Sequence, residues 1–219
     1  MKTLTVIAIG ALPHRWEAIP EWMDYVPMGL EEEPAMQAHI AAVLCATPYV
    51  LVLEDWEFYS LSALEKLVGA LQAQPTAAGA YGWTRHVDED WQPLSLGANW
   101  KLPFNFWNTL HNPTSNLSPV MYPLPVFQEI VAHGLEHPSA YSYLHRATAA
   151  MISDLVAVPG AECQVVRLVN EAQPAAVQYV KDIAYSCSQC RQRLGMDKPE
   201  PRRSRPVATG AIRRSCCGN

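Results

Sequence analysis

At 219 residues, 49% of them apolar, the chain can bury one substantial core and is too apolar to be disordered over most of its length. No apolar run reaches the ~18–20 residues that span a bilayer, and the brief apolar start lacks a small-residue cleavage site before Pro13, His14 and Arg15, so a cytoplasmic protein is expected. The net charge of −5 is uneven: residues 181–219 hold nine lysines and arginines against three acids, a net +6, which leaves −11 for residues 1–180.

In chain order, Leu4–Ile9 reads as a first buried strand ending at Gly10. Residues 10–33 are loop-rich, with a short strand near Met23–Met28. Pro34–Ala46 carries Met36, Ile40, Val43 and Leu44 at helical spacing, with Pro34 suited to a first turn. Tyr49–Leu53 is a continuous apolar run, as expected of a strand covered on both faces. Ser60 offers an N-cap for a helix over Ser60–Gln74, which Pro75 ends. Its apolar face is Leu61, Leu64, Leu67, Val68 and Leu71. Ala78–Thr84 is a further strand, Asp88-Glu89-Asp90 a polar turn, and residues 91–120 a long loop rich in Trp, Asn and Pro. Helices are expected over Pro125–His133, stopped by Gly134, over Ser139–Ser153 and over Pro174–Tyr185. Leu155–Val158 and Gln164–Val169 read as two strands separated by a Pro-Gly turn. Alternating strands and helices predict an α/β fold with a mostly parallel sheet flanked by helices.

Glu54, Asp55 and Glu57 follow the buried strand directly. In open α/β sheets the carboxyl ends of strands are where ligands bind. Clustered carboxylates repel one another and are costly to desolvate unless a cation joins them. A divalent metal carrying a phosphorylated ligand would account for them; a solvated acidic turn is the plain alternative.

Leu53-Glu54-Asp55-Trp56-Glu57-Phe58 resembles the acidic motif, D-x-D or E-D-D, of glycosyltransferases of the A-type fold, family-2-like members included. Trp56 stands where a third adjacent carboxylate is expected, and Asp55-x-Glu57 offers a substitute. The resemblance covers roughly residues 4–170 and implies transfer of a sugar from a nucleotide-sugar donor to a hydroxyl acceptor. It implies Mn²⁺ or Mg²⁺ on Asp55 and Glu57, against the donor diphosphate, with Ile9, Arg15, Glu54 and Asp55 around the donor. Leu110-His111-Asn112-Pro113-Thr114-Ser115-Asn116-Leu117 resembles the segment before the acceptor-side helix, and brings Asn112 to the acceptor. Glu136 is the positional match for the base that activates the acceptor hydroxyl, with Asp154 and His137 behind it.

Aromatic residues concentrate in the middle third: Trp83, Trp91, Trp100, Phe104, Phe106 and Trp107. Trp100 and Trp107 lie in the most irregular stretch and are the candidates for stacking on an acceptor. The alternative is a second apolar cluster beneath a long loop.

The cysteines fall into two groups. Cys45 and Cys163 lie in apolar surroundings and are expected to be buried thiols. Cys187, Cys190, Cys216 and Cys217 lie in the basic tail and offer four thiolates for Zn²⁺. Zinc would present Arg202, Arg203 and Arg205 together to a polyanion. The organisation expected is a catalytic body over residues 1–180 and a basic Cys-containing tail over 181–219. Two function classes follow: a glycosyltransferase, whose acceptor could be a hydroxylated base in DNA, or a nucleic-acid-binding protein with a zinc-stabilised tail. A nucleotidyltransferase is a further enzyme reading, because it too uses carboxylates at strand ends.

Overall fold

The computed structural model describes residues 1–10, 16–28, 45–54, 56–94, 104–106, 119–134, 149–166, 178, 181–182, 184–185 and 188–193. The strands are β1 (Leu4–Ile9), β2 (Met23–Met28), β3 (Tyr49–Glu54), β4 (Glu57–Tyr59), β5 (Gly79–Val87), β6 (Val120–Pro123) and β7 (Leu155–Val166). The named helices are α1 (Leu61–Ala73), α2 (Leu124–Gly134) and the short α3 (Ser188–Arg193). Among the described residues, no helix is long and apolar enough to cross a membrane.

The strands form a single sheet in the order β2-β1-β3-β6-β5-β7-β4. The fold is α/β as expected, but the sheet is mixed and not mostly parallel. Three pairings are parallel (β1–β2, β1–β3, β5–β7) and three antiparallel (β3–β6, β5–β6, β4–β7). Two strands cause the difference. β6 inserts between β3 and β5, antiparallel to both; the prolines around it, Pro119, Pro123 and Pro125, make the segment read as loop. β4 has three residues, too few to show a period.

Side-chain alternation sorts the core onto the two faces of the sheet. Leu4, Val6 and Ala8 of β1 and Leu51 and Leu53 of β3 meet Leu64, Leu67 and Leu71 of α1. Ile7 and Val50 belong to the other face, with Tyr122 and with Phe127, Ile130 and Val131 of α2. Each buried Leu, Val, Ile or Phe among them contributes roughly 1.5–3 kcal/mol by leaving water. The one polar residue inside β1 is satisfied locally. The Thr47 hydroxyl donates to the Tyr49 carbonyl at 2.9 Å, so the Thr5 hydroxyl is the donor in the 2.7 Å Thr5–Thr47 pair.

α1 starts as its sequence dictates. Ser60 holds extended backbone, and its hydroxyl accepts the Ala63 N–H at 3.2 Å. The expected Pro34–Ala46 helix lies outside the described residues except for Cys45 and Ala46, which are not helical. Residues 149–152, the described part of the expected Ser139–Ser153 helix, are helical, as are residues 178, 181–182 and 184–185 of the next.

β7 corrects the sequence reading. Two strands split by a Pro-Gly turn were expected; the chain instead runs as one strand through Pro159-Gly160. Its register against β5 jumps from Tyr81↔Ala157 to Trp83↔Glu162. Residues 158–161 bulge opposite Gly82, and Gly160 absorbs the distortion at φ +75°. Gly82 has no alternative either, because a Cβ there would lie 1.9 Å from the Ala161 carbonyl oxygen.

Candidate active site

The strand order reverses at β1, which has β2 on one side and β3 on the other. In an open α/β sheet a reversal opens a crevice at the carboxyl ends of the strands. Ile9 and Glu54 end β1 and β3 and are register partners at that edge. Gly10 follows at φ +84°, and its N–H donates to the Met28 carbonyl at 3.0 Å. That bond ties the end of β1 to the end of β2, in a left-handed conformation that glycine adopts without steric cost.

The acidic turn has an unusual path. Only residues 55 and 56 separate β3, an interior strand of the sheet, from β4 at its edge. The sheet must therefore curl for β4 to come back beside the end of β3. Three hydrogen bonds around the turn help to hold β4 there. The Glu54 N–H donates to Oε2 of Glu57 at 3.0 Å. The Val166 N–H donates to the Trp56 carbonyl at 2.9 Å, extending the β4–β7 ladder. The Trp16 indole N–H donates to the Tyr59 carbonyl at 2.9 Å.

Alternation along β4 turns Glu57 and Tyr59 inward and leaves Phe58 half-exposed on the other side. Tyr59 is fully buried. Its hydroxyl accepts the Gly82 N–H at 3.1 Å and donates to the Pro119 carbonyl at 3.0 Å. Tyr81↔Val120 is the last paired position of β5 and β6, so the hydroxyl spans the gap where those strands part. Phe58 packs against Trp16 at 5.9 Å and Trp91 at 6.4 Å, and Trp16 meets Tyr25 edge-on at 6.1 Å. These four half-exposed rings form a row beside the acidic turn. Trp91 sits at φ +61°, in a turn closed by the Gln92 N–H on Oδ1 of Asp88 at 2.8 Å. Such backbone is uncommon for a residue with a side chain.

Burial dominates the electrostatics here. The Cys163 thiol is pushed well above its ordinary range, first by complete burial and next by the Glu57 carboxylate. Cys163 stays neutral and is a poor nucleophile. Arg85 and Glu162 bridge β5 and β7 at 2.9 Å, with each side chain about a third exposed. A pair that wet adds little stability.

The structure brings some sequence candidates together and separates others. Ile9 and Glu54 meet at the carboxyl edge. Glu57, expected as a metal ligand, is 6% exposed and turned into the fold. Asp154, expected behind the base, lies at the opposite edge: it precedes β7, and its carbonyl accepts the Ala78 N–H ahead of β5. Val156 is level with Leu51 across the sheet, so Asp154 and Glu54 are five positions apart along the strands, roughly 17 Å. Cys190 is buried in α3. Arg15, Asp55, Trp100, Trp107, Asn112, Glu136, His14, His137, Cys187, Cys216 and Cys217 lie outside the described residues.

Mn²⁺ or Mg²⁺ at the motif and Zn²⁺ in the tail were expected. Among the described residues, no group of three or more His, Cys, Asp or Glu side chains is placed to hold a metal ion. Asp55, the first of the expected ligands, lies outside the described residues, and Glu57 is turned inward.

Sequence reasoning missed Trp16, Phe58 and Tyr59. The available signal was the alternation of Glu57, Phe58 and Tyr59 beside a strand end, too short to stand out.

No family model matches the sequence, and a search of curated proteins finds no relative. The solved structures do contain the fold. The crystal structure of S. aureus TarS is similar over 88% of this chain, with a TM-score of 0.57 and 8% identity. This is a glycosyltransferase-like fold. The chain spans 42% of TarS, less than half of it.

Proposed function

We propose that the chain is a glycosyltransferase that moves a sugar from a nucleotide-sugar donor to a hydroxyl acceptor. One observation carries the reading: in a fold shared with TarS, itself a glycosyltransferase, the strand that leads into the acidic motif, β3, ends at the crevice where the strand order reverses. A donor laid across that edge would meet Ile9 and Glu54, with Asp55 next in sequence. The attacking hydroxyl must lose its proton as the glycosidic bond to the diphosphate breaks, and a carboxylate near the anomeric carbon takes it. Glu136 is proposed for that role, because Asp154 is at the wrong edge of the sheet. The +6 charge of residues 181–219 supports a polyanionic acceptor, such as DNA bearing a hydroxylated base.

The test is to incubate the full chain with a panel of nucleotide-sugars, with and without Mn²⁺, and measure free nucleoside diphosphate. Release that Asp55→Asn abolishes is the expected result. No release from any donor, with or without candidate acceptors, would overturn the reading.

A further inference from the structure

We propose that Glu57 is the positioning residue of the acidic turn: its carboxylate faces inward and holds the backbone of Glu54, where the motif's spacing would make it a metal ligand.

Three observations converge on this. The first is burial. Glu57 is 6% exposed, and a carboxylate taken out of water is costly unless hydrogen bonds replace its hydration. It accepts the Glu54 N–H at 3.0 Å, a bond that any acceptor oxygen at that position can make. The second is anchoring. Glu57 pairs with Val165, and on either side of it Val166 N–H reaches the Trp56 carbonyl and Trp16 reaches the Tyr59 carbonyl. Swinging Glu57 outward would invert the alternation of β4 and expel Tyr59 from its place between Gly82 and Pro119. The third is its surroundings. The neighbouring Cys163 thiol is fully buried, and Glu57 is the largest charged influence on it. An inward carboxylate would have that effect.

The turn needs such a clamp because it is so short. Two residues carry the chain from an interior strand of the curled sheet to its edge. Glu54 opens that span, and the bond to its N–H sets where the motif leaves β3. The consequence for turnover rests on the sugar-transfer reading; the clamp itself does not.

Two variants of the full chain separate the roles. Glu57→Gln keeps an acceptor oxygen and loses the charge, whereas Glu57→Ala loses both. Two measurements are made on each: hydrogen exchange at the Glu54 amide by NMR, and kcat and KM for nucleotide-sugar turnover well below the melting temperature. In Glu57→Ala the amide should exchange at least about tenfold faster and kcat fall at least about tenfold, with KM moving less than about threefold. Glu57→Gln should recover both to within about threefold of the parent chain, which a metal-bound carboxylate would not allow. Glu57→Gln as impaired as Glu57→Ala would overturn the proposal, because the charge itself would then be in use. So would unchanged exchange or unchanged kcat in Glu57→Ala. If the parent chain turns over no donor, the transferase reading fails and the exchange measurement alone decides the clamp.

Discussion

The two halves of the sheet are built on different principles. In the β2-β1-β3 half, six consecutive residues of β1 pair in parallel with both neighbours, without a shift. Apolar side chains alternate onto two faces. In the β5-β7-β4 half the register jumps at Gly82, Gly160 takes a left-handed backbone, and a tyrosine hydroxyl fills the place of a ladder hydrogen bond. The regular half is stabilised by many interchangeable apolar contacts. The curled half, which brings β4 back to the acidic turn, depends on a few groups that nothing else can replace. The contrast predicts where single substitutions do most damage.

Gly82→Ala should be the worst of them. The new methyl would meet the Ala161 carbonyl carbon and oxygen, which are backbone, and the Tyr59 ring. Backbone cannot rotate away, so β5 and β7 would have to separate at the bulge. The expected cost is at least about 3 kcal/mol, at the upper end for overpacking. Urea unfolding measures it. A loss below about 1 kcal/mol would mean that the bulge yields easily, and the contrast between the halves would be gone.

A matched pair of hydroxyl deletions sharpens the comparison. Tyr59→Phe strips a partner from both the Gly82 N–H and the Pro119 carbonyl, each buried between strands. Leaving two such groups unsatisfied should cost about 2–3 kcal/mol. Thr5→Val in the regular half removes one hydroxyl donor, while Thr47 keeps its bond to the Tyr49 carbonyl. That change should cost about 1 kcal/mol. Unfolding midpoints of the two variants under the same conditions give the ratio. Equal losses would show that the Tyr59 bridge is no more important than an ordinary side-chain pair.

The same division governs what was legible in the sequence. β2 matches its expected bounds; β1 does too, and β3 runs one residue further, because apolar runs bounded by Gly or acids are strong signals. α1 was legible from Ser60, its apolar face and Pro75. β4 and β6 were not. Three and four residues carry no usable period, and the prolines around β6 argue locally for loop. Pro159-Gly160 was read as a turn because the dipeptide says only that the backbone departs from the regular. Whether it turns or bulges is decided by what lies opposite, here Gly82. The site divides in the same way. The resemblance implied that Ile9 and Glu54 lie around one donor; that they share an edge comes from the pairing of β1 with β3. The inward turn of Glu57 needed the position of β4, which the sequence does not reveal. Asp154 stands behind Glu136 as a candidate base because helix and strand lengths do not say at which edge a strand begins.

The smallest effect is expected at Cys163, and it appears only in alkali. Its thiol is fully buried among β4 and β7, with Glu57 next to it. Folding therefore favours the neutral thiol and raises its ionisation above the ordinary value near pH 9. The sign of the linkage follows. Below that value both folded and unfolded chains carry the proton, so Cys163 adds no pH dependence at neutral pH. Above it the unfolded chain ionises first, and stability falls as the pH rises toward the higher native value. Unfolding midpoints of the parent chain and of Cys163→Ala, compared at pH 7 and pH 10, isolate the contribution from other alkaline titrations. The alanine variant should start lower at pH 7, because it leaves a small cavity, and should lose less between the two pH values. Parallel losses in both proteins would mean that the thiol ionises as readily in the folded chain as in the unfolded one. The curled half would then be open to water where β4 meets β7, against the burial of Glu57, Tyr59 and Cys163 together.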